Sequence, residues 1–157
     1  MFKRNHTATP SLNERPCIQQ VQYWINIDSF NQFYPGTDVT RIIEDAARQW
    51  NWAGGSRRVL DNMGTTSESG CGLFGTNSDN ISAAPGCPGG NCTVCATTAL
   101  CWGGTFNNWE ITVYPDACSG GIWPTIAPGF TDLETIVLHE FGHAQLGTGH
   151  IDPSATH

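Results

Sequence analysis

The stretch from Thr131 to His150 constrains this chain more than any other. Leu133, Ile136, Val137, Phe141 and Ala144 recur at the spacing of one helix face, so they predict a helix with a buried stripe. Thr131 with Glu134 three residues on fits a capping box, and Gly147 fits the helix end. Within that helix stands His139-Glu140-Phe141-Gly142-His143. Histidines at i and i+4 project from one face about a turn apart, where their ring nitrogens can converge on a single Zn2+ at ~2.0–2.1 Å. Glu140 is placed to reach a water at such an ion rather than the ion itself. A carboxylate there takes the proton of a water attacking a carbonyl and passes it to the leaving amine. Beyond the helix, Gly147-Thr148-Gly149-His150 lets the chain turn back, which makes His150 the candidate third ligand and leaves one corner for water.

The rest of the chain reads as strand, helix, strands. Val21, Tyr23, Ile25 and Ile27 alternate with polar residues and predict a strand over 21–27. Pro35-Gly36 predicts a turn. Thr37 or Asp38 caps a predicted helix to about Trp52, with Val39, Ile42, Ile43, Ala46, Ala47 and Trp50 on its apolar face. A short strand is expected around 58–60. Residues 61–93, rich in Gly, Asn, Ser and Pro, predict a long loop with at most a short strand near Asn80-Ile81. Two more strands are expected over 95–102 and 109–114, with Gly103-Gly104 turning between them. This order indicates α+β, or α/β with a mixed sheet. Residues 1–16 are polar and carry Pro10 and Pro16, so they read as an N-terminal arm, leaving 17–157 as one domain.

The cysteines bear on the compartment. Of the 7 in the chain, the six from Cys71 to Cys118 would staple two long loops that bury little apolar surface. Disulfides are the favoured reading; a metal site of Cys87, Cys92, Cys95 and Cys101 is the competing one. Disulfides predict a secreted protein, and Cys17, left over, offers a route with the arm to an oligomer or assembly. Asn5, Asn80 and Asn91 head Asn-x-Ser/Thr sequons and are candidate glycan acceptors. With 7 basic against 14 acidic residues, the net charge of −7 leaves no basic face for nucleic acid. No apolar run approaches the ~20 residues of a membrane span.

The helix motif with Gly147 and His150 resembles the zinc signature of the metzincin endopeptidases, most of all the matrixin branch and its bacterial relatives. In outline the likeness covers 21–150: Tyr23-Trp24-Ile25-Asn26 and Ala46-Ala47-Arg48-Gln49-Trp50-Asn51 resemble the first strand and helix of matrixin catalytic domains. The resemblance implies a twisted, mixed, mostly parallel sheet with two main helices, loop-rich and disulfide-stapled. It implies a secreted zinc endopeptidase with His139, His143 and His150 on the metal and Glu140 as general base. It also implies that Ala96, Thr97, Thr98, Ala99 and Leu100 form the edge strand onto which an extended peptide or protein substrate adds. Calcium accompanies zinc in the matrixin branch, but no acidic loop here forms a clear motif for it.

Two departures shape further expectations. The matrixin glycine and third histidine follow the second histidine by three and six residues; Gly147 and His150 follow His143 by four and seven. An extra helical residue turns the chain by ~100°. A π-bulge within 144–146 is therefore expected to absorb it and keep His150 on the ion, with Asp152 the alternative ligand. The family also carries a C-terminal subdomain with a methionine-bearing turn, which this domain is expected to lack, since Met1 and Met63 are its only methionines. The competing expectation is a catalytically impaired domain of this fold, acting as a structural or binding subunit of an extracellular, glycosylated assembly.

Overall fold

A computed structural model describes residues 19–53, 58–69, 79–103, 106–117, 120–125 and 131–146. β1 spans Gln19–Ile25, with Tyr23 and Ile25 buried as the alternation predicts. The strand stops two residues earlier than expected because Asn26 caps a five-residue helix, α1 (Ile27–Asn31). Its Oδ1 accepts the Ser29 N–H at 3.2 Å, and its amide donates to the Glu68 carbonyl at 3.0 Å. Asp38 caps α2 (Val39–Trp52), accepting the Arg41 N–H at 3.1 Å, and Val39, Ile43, Ala46 and Ala47 form its buried stripe.

β2 runs Arg58–Thr65, well past the expected 58–60. Its polar residues do not announce a strand; parallel pairing with β1, from Gln19↔Arg58 to Tyr23↔Asn62, holds them extended. Gly64, at φ 117°, sits where the register shifts before Ile25↔Thr65. β3 (Asp79–Ala83), β4 (Ala96–Gly103) and β5 (Phe106–Val113) follow. The sheet order is β2-β1-β3-β5-β4, parallel throughout except for β4 against β5. A small parallel pair joins β6 (Ile122–Trp123) to β7 (Thr131–Asp132), and α3 (Leu133–Leu146) comes directly after. The fold is thus mixed α+β with a mostly parallel sheet and three helices among the described residues. None of those helices is long and apolar enough to cross a membrane.

α2 and α3 pack against each other on one face of the sheet, and the core lies between. Tyr23, Ile25, Ile81, Trp109, Ile111 and Val113 face the helices. Phe141 of α3 is fully buried among them, its ring edge-on to Tyr23 at 5.6 Å and to Trp109 at 6.1 Å between centroids. An aromatic side chain so buried contributes several kcal/mol. It fixes the roll of α3 about its axis, and so decides which way residues 139, 140 and 143 point.

The cysteines resolve toward disulfides. Cys87 and Cys92 are bonded, and Cys95 and Cys101 are disulfide-bonded as well. The latter two stand roughly 20 Å apart along β4, so they are not joined to each other. Their sulfurs are not free to ligate, and the four-cysteine metal site is excluded.

Candidate metal centre

The start of α3 is capped differently from the expected box. Asp132, not Thr131, accepts the Thr135 N–H at 2.8 Å, and its second oxygen takes the Thr135 hydroxyl at 2.9 Å. Thr131 and Asp132 both belong to β7, and Glu134 bonds the Gln49 amide of α2. With Leu133, Val137, Phe141 and Ala144 turned into the core, His139, Glu140 and His143 face β4.

The His139 and His143 Nε2 atoms lie 3.0 Å apart. Two nitrogens held ~2.05 Å from one ion at a tetrahedral angle sit ~3.3 Å apart, so the pair is already at the spacing of two ligands of one ion. A Glu140 oxygen lies within 4.8 Å of both, and the three together could hold a metal ion. His139 is exposed and His143 half-buried, whereas Glu140 is only 6% exposed. The imidazoles thus look out and the carboxylate looks in, beneath them.

A cavity of about 440 Å³ opens at this point between β4 and α3. Ala96 and Thr98 form one wall; Ile136, His139, Glu140 and His143 form the other. Of the expected edge-strand residues, Ala96 to Leu100 all lie in β4, which is the terminal strand of the sheet. Thr98 reaches across: its hydroxyl donates to Glu140 Oε2 at 2.6 Å, with the Glu140 carbonyl 3.2 Å away. Thr97 points to the other face, its hydroxyl 3.4 Å from that of Tyr114.

α3 runs as α-helix through Leu146, so the π-bulge expected within 144–146 is not formed. Ala144 packs into the core in regular helical register. His150 and Asp152 lie outside the described residues, as do Asn5, Cys17 and the arm over 1–16. Of the other sequons, Asn80 is withdrawn as a glycan acceptor. It is 2% exposed in β3, between β1 and β5, where no sugar fits. Asn91 is exposed beside the Cys87–Cys92 bond, its Oδ1 accepting the Thr93 N–H at 3.0 Å.

Sequence reasoning missed one group at the site and one elsewhere in the sheet. The Thr98 hydroxyl was legible only as part of an alternating strand, although that alternation does turn Ala96, Thr98 and Leu100 toward the helix. Asp79, opening β3, accepts the Trp109 N–H at 2.9 Å, and burial pushes its carboxyl from 3.8 up to about 6. No motif marks it.

No family model matches the chain, and no curated protein or solved structure is significantly similar to it.

Proposed function

We propose that this chain is a zinc-dependent endopeptidase domain of metzincin type, acting outside the cell. The observation that carries the reading is the pair of Nε2 atoms 3.0 Å apart, with a buried carboxylate beside them at an open cleft. The donor set is compatible with zinc: imidazole is a borderline-soft ligand of zinc and of other late first-row divalent ions, with the Glu140 carboxylate beside the pair. His139 and His143 would hold it, with His150 as the proposed third ligand. Bound there, zinc would polarise a scissile carbonyl and acidify a water.

The chain's own residues do the rest. Antiparallel pairing alternates along β4: the Tyr114 N–H donates to the Cys95 carbonyl, so Ala96, Thr98 and Leu100 turn their N–H and C=O to the free edge. An extended peptide lies against that edge and is registered over the histidines. Glu140 accepts the proton of the attacking water and returns it to the leaving amine. The disulfides at Cys87, Cys92, Cys95 and Cys101 support the extracellular placement.

The unbroken helix through Leu146 favours a second reading. In it His150 is not a ligand, and the domain binds metal as a structural or recognition module. Hydrolysis of an unfolded protein by the zinc-loaded chain separates the two. The endopeptidase reading predicts cleavage that Glu140→Gln abolishes while zinc stays bound. Zinc bound at one equivalent with no cleavage by the wild type would select the module.

A further inference from the structure

Glu140 sits on α3, where the helix alone fixes its backbone but leaves three side-chain torsions free. The group that restrains it comes from 42 residues away, on the other wall of the cleft. Thr98 is β-branched, so its rotamer is stiff, and its hydroxyl is 2.6 Å from Glu140 Oε2. Its backbone meanwhile faces the free edge of β4, as established above. One residue therefore touches the proposed base with its side chain and offers main-chain groups to whatever pairs with the edge.

We infer that Thr98 is the positioning residue for Glu140: it ties up one carboxylate oxygen, leaves the other to take a proton, and couples the base to the strand that registers the peptide. This rests on the endopeptidase reading for its consequence, but not for the contact itself. A hydrogen bond to an ionised carboxylate is among the stronger kinds, and orienting partners of this sort are typically worth 10–100-fold in activity.

Two measurements test it. In the zinc-loaded full chain, Thr98→Val keeps the shape and removes the donor. It is expected to lower kcat by ~10–100-fold with KM and zinc content unchanged, and Thr98→Ser is expected to recover to within ~3-fold of wild type. Wild-type kcat in Thr98→Val would overturn the inference. In the metal-free chain, a double-mutant cycle of Thr98→Val with Glu140→Leu reads the contact through the unfolding equilibrium. A coupling above ~3-fold supports it, and smaller coupling overturns it. A wild-type chain that hydrolyses nothing would refute the endopeptidase reading, while the cycle would still decide whether Thr98 holds Glu140.

Discussion

Asp79→Asn should stabilise this protein at neutral pH and do nothing in acid. The carboxyl opens a strand between Tyr23 and Trp109 on the core face, and burial raises it from 3.8 to about 6. The unfolded chain therefore gives up this proton near 3.8 while the folded chain holds it to about 6. Below ~3 both states are protonated and the group has no pH-linked effect. As pH rises from ~3 to ~6 the unfolded state is favoured, and above that the full penalty applies. At ~1.4 kcal/mol per tenfold the penalty is roughly 3 kcal/mol, and water reaching the partly exposed side brings it nearer 2. Asparagine keeps an oxygen for the Trp109 N–H and carries no charge. Reversible unfolding followed by circular dichroism from pH 3 to 8, disulfides intact, should show the variant ahead by ~2 kcal/mol at pH 7. That corresponds to a Tm gain of ~4–8 °C, shrinking to nothing near pH 3. A variant less stable than wild type at pH 7, or a gain independent of pH, would refute the reasoning.

Two further substitutions probe the frame around the site. Asn51 of α2 donates to the Leu60 carbonyl and accepts the Leu60 N–H, both at 2.9 Å, so its amide stands in for a neighbouring strand along β2. Asn51→Ala should cost ~1–3 kcal/mol in denaturant unfolding and open that edge to self-association visible by sedimentation; a monomer of unchanged stability would contradict this. Asp132→Ala removes the cap of α3 and should cost ~0.5–2 kcal/mol, with Thr131→Ala near neutral in the same assay. The reverse ranking would restore the capping box over 131–134.

What could be read from the sequence was what local periodicity encodes. α2 and α3 show their apolar stripes, and β4 and β5 alternate, so their placement and the facing of His139 and His143 follow from spacing alone. The full length of β2 is not legible locally because Asp61, Asn62 and Gly64 disfavour strands, and only pairing with β1 holds them extended. α1 is too short to show a period. The cap of α3 is ambiguous by one residue in the sequence because Thr131 and Asp132 can both cap, and the choice is made by β6 and by Gln49, distant in sequence. The same holds for the Thr98–Glu140 bond and for the burial of Asp79: each is a long-range consequence of the fold, with no signature in the residues nearby.

If His139 and His143 share one ion, titration of the metal-free chain with zinc, against a chromophoric chelator, will show it. One equivalent is expected to bind tightly, with affinity reduced by orders of magnitude in His139→Ala and in His143→Ala alike. Zinc binding that is absent from the wild type, or that survives loss of either histidine, would contradict it.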